Sequence, residues 1–334
     1  MEEKIRVNLS KRTYNLLMKD AENFEFFKKD GSLNKNAFIN KLIVNYHNDY
    51  SVSQREMLDV IEDNIFELND KYSLLEETAY NILNKLNLYS SGNDEYNDVH
   101  ISFRPIRESV NIIDFIENHE LKGSSRSNYY RMMFDSYCSL PQDKRERIIF
   151  RNIIERIEEA ISEDKKIYLL TKNNYKRGFS GVTLSPYSLC LTKEELYNYL
   201  LAELNEHKAC RTTRLCRIQS ISILKEKRQF SKEVLDKLIK MEINGPQYPY
   251  GDDEYELIRI RLSEEGIRKY KSYYVHRPTP IEIDGDCYVF NCSYMQALNY
   301  FTRFGEDAVV LSPEPLKKQF KEFYQKGLNR FDQK

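Results

Sequence analysis

Two stretches of the chain carry the same pattern, and that repetition restricts the fold more than any other feature. Lys4-Ile5-Arg6-Val7-Asn8-Leu9 alternates polar and apolar residues, the period-two signature of a half-buried strand. Ser10 can cap a following helix that carries Leu16, Leu17 and Phe24. Asp30-Gly31-Ser32 breaks that helix, and Asn34 can cap a second one with Phe38, Ile39, Leu42, Ile43 and Tyr46 on one face. Downstream, Val99-His100-Ile101-Ser102-Phe103-Arg104 alternates in the same way, before a helix with Val110, Ile112, Ile113, Phe115 and Ile116. Gly123-Ser124-Ser125 then precedes a helix holding Tyr130, Met133, Phe134 and Tyr137. The offset is 94 residues in the strand and 92 at the glycine, a two-residue deletion in the first helix. An internal repeat limits residues 1–140 to folds made of two like halves, at 1–50 and 97–140; two unrelated αα-hairpins would match only by coincidence.

Between the copies, Leu58, Ile61, Ile65, Leu68, Tyr72, Leu75, Ala79, Ile82 and Leu86 keep a three-four spacing, which predicts one long helix over 53–88. Its apolar seam can join two subunits or lie against the chain's own helices. Ser90-Ser91-Gly92-Asn93-Asp94 is a linker. After Pro141 the spacing of Ile148, Ile149, Ile153, Ile157 and Ile161 predicts a further helix. Strands are then expected over 167–171, 182–185, 197–204 and 211–224, closely enough spaced for a small sheet or barrel within a domain at 141–242. Gly245-Pro246-Gln247-Tyr248-Pro249-Tyr250-Gly251 is the clearest linker. A third domain at 252–334 mixes strands (255–262, and 281–283 with 287–291 around Asp284-Gly285) with helices, the last from Pro315 to about Arg330.

The chain's 51 Lys and Arg balance 52 Asp and Glu, but the charges are sorted. Ser51 to Glu95 holds ten acids and three bases, a net of −7, and Lys208 to Lys232 holds eight bases and one acid, a net of +7. No apolar run approaches the ~20 residues of a membrane span, and residues 1–20 lack a signal-peptide core, so a cytoplasmic protein with no membrane partner is expected. The six cysteines and five histidines show no zinc-ligand spacing, and no nucleophile, phosphate-loop or metalloprotease motif is present. No enzyme activity, metal or cofactor is expected. Asp252-Asp253-Glu254 reads as a solvated turn, and Tyr248 and Tyr250 as packing residues of the linker.

Strand, helix, glycine turn and helix, twice over, resembles the ribbon-helix-helix family, in which two such strands pair antiparallel. Residues 157–224 resemble a WYL domain. The carrying residues are Ile157-Glu158-Glu159-Ala160-Ile161 into Lys165-Lys166-Ile167, then Ser185-Pro186-Tyr187-Ser188-Leu189, then Asn198-Tyr199-Leu200, with Asn198 where the naming motif has Trp. Arg211-Thr212-Thr213-Arg214-Leu215-Cys216-Arg217-Ile218 completes them; Thr171 stands where many members have Tyr. Phe301-Thr302-Arg303-Phe304-Gly305 and Val309-Val310-Leu311-Ser312-Pro313 are similar to the extension that accompanies such domains. The resemblance implies an α+β multidomain chain: a helical ribbon-helix-helix region, an Sm-like small β-barrel and an α+β extension that dimerises. This architecture is similar to accessory proteins found beside type VI-D CRISPR RNA-targeting ribonucleases, which implies single-stranded RNA and the effector ribonuclease as partners.

Two surfaces follow from the residues. Arginine forks match phosphate oxygens and tyrosine faces stack on bases, so Arg211, Arg214, Arg217, Tyr187 and Tyr199 form a candidate single-strand site. Arg211 and Arg217 share strand parity and Arg214 does not, so a bulge or strong twist must gather them around one groove. A solvated edge strand with arginines paired to carboxylates is the alternative. Outward positions of the paired strands would be Lys4, Arg6 and Asn8 with His100, Ser102 and Arg104, suited to duplex DNA in the major groove. Backbone N–H groups near Ser32 and Ser124 would meet phosphates. The alternative there is a fold retained to hold subunits or a protein partner. Function is read as a non-enzymatic, homodimeric nucleic-acid-binding regulator, an accessory stimulator of a CRISPR ribonuclease; a transcriptional regulator whose WYL domain senses a small ligand or oligonucleotide is the alternative.

Overall fold

Alternating burial along Ile5–Leu9 (β1) and Val99–Phe103 (β2) makes two strands that pair with each other antiparallel, Val7 opposite Ile101. The structure, a computed structural model, describes residues 4–66, 78–79, 81–83, 99–121, 124–172, 178–192, 194, 196–251, 254 and 256–332. The chain divides into two units, Met1–Arg151 and Asn152–Lys334.

In the first unit Ser10 caps α1 (Lys11–Asn23), its hydroxyl accepting from the Thr13 N–H at 3.0 Å. Gly31, at φ 85, turns the chain, and Asn34 accepts from the Ala37 N–H at the start of α2 (Lys35–Phe66). α2 runs unbroken through the boundary expected near residue 50, since no glycine or proline lies within it and Tyr50 and Ser51 are buried. Leu58 and Ile61 pack with Ala79 and Leu83. A single helix over 53–88 would hold Leu58 and Ala79 about 30 Å apart at ~1.5 Å per residue, so the expected long helix is not one rod, and here its seam meets the chain itself. Of its other positions Ile82 is exposed, while Leu68, Tyr72, Leu75 and Leu86, the linker at 90–94 and Gly123 lie outside the described residues. After β2 come α3 (Arg107–Phe115), a π-helical turn (Ile116–Glu120) and α4 (Arg126–Ser139), capped by Ser125. The helix expected after Pro141 is two, α5 (Gln142–Ile149) and α6 (Arg151–Ser162), because Phe150 leaves helical geometry to pack its ring edge-to-face on Phe24 at 5.9 Å.

Both strands, α1 to α5 and the π-helical turn share one core, with Val7, Leu9, Leu17, Phe38, Phe103 and Tyr130 almost solvent-free. Inside it, Arg145 grips Asp20 through Nε at 2.6 Å and Nη2 at 3.0 Å, and Tyr137 donates to the same carboxylate at 3.1 Å. Breaking such a pair leaves an uncompensated buried charge.

The second unit contains two antiparallel sheets. The first has β3 (Lys165–Lys172), β4 (Phe179–Leu191), β5 (Asn198–Leu204), β6 (Ala209–Arg214) and β7 (Ile218–Lys227), in the order β6-β5-β4-β3-β7. Among the described residues no ladder joins β6 to β7, so the expected small barrel is not closed. Leu215–Arg217 is a 3-10 turn with Leu215 and Cys216 buried, and it splits the single strand expected over 211–224 into β6 and β7. α7 (Lys232–Asn244) packs on β5 and β6, burying Val234, Leu238 and Met241 with Leu201. The second sheet has β8 (Ile258–Leu262), β9 (Pro280–Asp284), β10 (Cys287–Phe290) and β11 (Ala308–Ser312), in the order β11-β8-β10-β9. It is covered by α8 (Glu264–Ser272), α9 (Tyr294–Phe301) and α10 (Glu314–Asp332) around Tyr270, Phe290, Tyr300, Phe301 and Phe304.

The segment 245–251 is more than a tether: Tyr248 and Tyr250 are buried, and the Tyr250 hydroxyl donates to the Asn291 carbonyl at 2.9 Å. Glu254 is not a solvated turn residue but accepts from the Tyr294 N–H at the start of α9; Asp252 and Asp253 lie outside the described residues. The whole is a mixed α+β structure with several sheets. No helix of the described residues is long and apolar enough to cross a membrane.

Candidate nucleic-acid interface

In an antiparallel ladder directly opposed residues share a face. Arg6 stands opposite Ser102 and Asn8 opposite His100, with Lys4 and Arg104 continuing the alternation at the ribbon's end. Lys4, Arg6, Asn8, His100 and Arg104 are exposed and Ser102 half-buried, so the structure brings all six together on one surface. Arg6 Nη2 lies 3.2 Å from His100 Nδ1. Two asparagines of α2 hold the end of β2. The Asn36 side chain accepts from the Arg104 N–H at 2.7 Å, while Asn40 donates to the Arg104 carbonyl at 2.9 Å and accepts from the Ile106 N–H. On the other strand, the Asn8 N–H donates to Ser127 Oγ in the first turn of α4.

The helix-start groups expected near Ser32 and Ser124 are used internally. The N–H and hydroxyl of Ser32 both donate to Asp30, and the Ser124 N–H donates to the Leu121 carbonyl.

The arginines are not gathered around one groove. Arg211 faces Ala202 and Arg214 faces Tyr199 in the β5–β6 register, so their parity places them on opposite faces of the sheet. Arg217 lies in the 3-10 turn. Arg214 lays its guanidinium 3.6 Å from the Tyr197 ring centroid, and Tyr199 stands across the ladder from it. Arg211 is exposed near Lys208, also exposed. Tyr187 turns toward α7: its ring meets Phe230 edge-to-face at 5.9 Å and its hydroxyl donates to Glu242 at 3.3 Å. Burial, then the neighbouring Glu242 charge, raises its pKa.

Sequence reasoning passed over the residues at the join between this sheet and the carboxy-terminal sheet. Glu194, its side chain 6% exposed, accepts from the His276 backbone N–H and lies 3.4 Å from His276 Nδ1. Burial would raise the Glu194 carboxyl, but the ring and backbone N–H of His276 outweigh it and bring it down to about 2. Tyr248 meets the His276 ring edge-to-face at 5.6 Å, and burial pushes its hydroxyl up to about 12. His276 adopts a left-handed φ of 64, unusual for a residue with a side chain. Tyr248 carried a local signal, between the prolines of the linker; Glu194 and His276 are 82 residues apart and had none. Among the described residues no group of His, Cys, Asp and Glu side chains is placed to hold a metal.

No family model matches the chain, and no curated protein sequence matches it. The fold is similar to a solved structure described as the crystal structure of a CRISPR Cas-related protein, with TM-score 0.69 and 21% identity over 99% of this chain and 95% of that one. That similarity is one of fold. A solved structure of proteasome accessory factor B/C (PafBC) of Arthrobacter aurescens aligns at TM-score 0.25 and 14% identity over 71% of this chain and 40% of that one, too low to carry an argument.

Proposed function

We propose that this chain is a non-enzymatic, CRISPR-associated regulatory protein of the cytoplasm that binds single-stranded RNA through its five-stranded sheet and stimulates an RNA-targeting ribonuclease. The observation that carries the reading is Arg214 over Tyr197, with Tyr199 across the ladder. A guanidinium on an aromatic face beside a second ring suits a stacked base and its phosphate. Exposed Lys208, Arg211, Lys225, Lys227 and Lys232 surround it in sequence with positive charge. The fold likeness to a CRISPR Cas-related protein supports the association. In this reading the five-stranded sheet is a WYL domain, the paired strands are a ribbon-helix-helix unit within one chain, and the carboxy-terminal extension dimerises.

A second reading, a duplex-DNA-binding transcriptional regulator, is favoured by the ribbon itself, whose exposed Lys4, Arg6, Asn8, His100 and Arg104 lie on one surface. Affinities for single-stranded RNA and duplex DNA, measured at one salt concentration, separate the two. Joint replacement of Arg211, Arg214 and Arg217 by Ala is expected to abolish RNA binding and spare duplex binding; RNA affinity unchanged by it sinks the first reading. Joint replacement of Lys4, Arg6 and Asn8 by Ala does the reverse if the regulator reading holds.

A further inference from the structure

A cavity of about 400 Å³ opens in the first unit between α2, the π-helical turn and α4, within the size range of small-molecule sites. Its polar end is Glu120, whose side chain is 17% exposed. Ser51 Oγ donates to Glu120 Oε2 at 3.1 Å and Arg55 Nη2 to Oε1 at 3.3 Å. Aromatic rings line much of the rest. Tyr50 and Tyr129 meet edge-to-face at 5.6 Å, and Phe115 and His119 lie 5.1 Å apart. The π-helical turn makes the grouping possible, because its wider winding lets residues four and five positions after Phe115, His119 and Glu120, reach the same cavity.

Arg55 shows which charge the cavity favours. A mostly buried carboxylate requires a cationic or hydrogen-bonding partner, yet the Arg55 side chain is 66% exposed, so the pair it makes is of the weak, solvent-screened kind. A ligand can displace it at little cost. We propose that this cavity binds a small organic cation, an amine or guanidine on an aliphatic or aromatic body, with its charged group replacing Arg55 on Glu120. Its aliphatic or aromatic body lies against the rings of Tyr50, Tyr129 and Phe115, which line the cavity with apolar surface. Glu120, Arg55 and the three rings belong to neither nucleic-acid reading, although Ser124, at the edge of the duplex-DNA reading, also lines the cavity.

The test is calorimetric titration of the full chain with agmatine, spermidine and phenethylamine. At least one is expected to bind saturably. Glu120→Gln, which keeps the volume and the Ser51 hydrogen bond, weakens that binding by about tenfold or more through loss of a charge-assisted bond. Arg55→Ala removes the competing cation and tightens it. Asp63→Asn, at an exposed acid on α2, leaves it unchanged and so controls for general attraction to an acidic helix. Absence of saturable binding by all three amines, to both the wild-type chain and the Arg55→Ala variant, overturns the proposal. So does binding that Glu120→Gln leaves intact. Should Glu120→Gln unfold, the Arg55→Ala arm decides, since affinity equal to or below wild type contradicts displacement.

Discussion

The two candidate surfaces are built on opposite rules of spacing. Along the ribbon, Lys4, Arg6 and Asn8 recur every second residue, the strand period, and emerge on one face with His100, Ser102 and Arg104. Along β6, Arg211 and Arg214 recur every third residue and emerge on opposite faces, with Arg217 carried off by a turn. Residues spaced at two make a surface; residues spaced at three make a surface only if the backbone departs from a strand between them. The ribbon is therefore a continuous polar face, whereas the sheet offers one stacked arginine, Arg214, and a separate exposed one, Arg211.

The ribbon's surface depends on the core beneath it, and removing that support is the most severe way to break the comparison. Asp20→Ala leaves Arg145 buried without its carboxylate and is expected to destabilise the first unit by about 3–5 kcal/mol. Chemical denaturation followed by tyrosine fluorescence, in a chain without Trp, measures it; a loss below about 1 kcal/mol would show that the pair is not desolvated.

The next test separates the arginines. Arg214→Ala is expected to weaken single-stranded RNA binding by about 1–3 kcal/mol, the range for stacking contacts. Arg211→Ala is expected to act as loss of one phosphate contact, flattening the slope of log affinity against log salt by about 0.7. Equal effects of the two replacements in fluorescence anisotropy titrations would remove the distinction between the faces. A comparable loss on the ribbon side is expected from Asn40→Ala, which removes the part-buried hydrogen bonds to the Ile106 N–H and the Arg104 carbonyl at about 0.5–1.5 kcal/mol each. Its signature is faster amide exchange in β2 with β3 unaffected.

The contrast also explains how far the residues could be read directly. The ribbon was legible because strand period, the Ser10 and Asn34 caps and the Gly31 turn are all local signals, and the repeated alternation at 99–104 marked the partner strand. The end of α2 was not, because nothing within Lys35–Phe66 marks a break and the burial of Tyr50 and Ser51 is a tertiary fact. The split at Leu215–Arg217 was hidden for a related reason: Leu215, Cys216 and Ile218 are apolar in either a strand or a turn, and only their burial distinguishes the two. The contact of Tyr187 with Glu242 of α7, 55 residues away, has no local signal in the sequence.

The smallest expected effect concerns the join between the two sheets, which neither spacing rule describes. Glu194 is held at about 2 against an ordinary 4.5, so its contribution to stability is present in full above about pH 4.5 and is lost as pH falls through about 2. His276, its partner, is 40% exposed, so solvent screening limits the contribution to about 1 kcal/mol or less. Near-ultraviolet circular dichroism across that window should show a transition that Glu194→Gln removes. A transition retained in that variant would assign the acid sensitivity to other carboxylates. Its loss would establish a join whose integrity can be varied by pH, and RNA binding measured on either side of the transition would then show whether the Arg214 surface depends on the extension or stands on β5 and β6 alone.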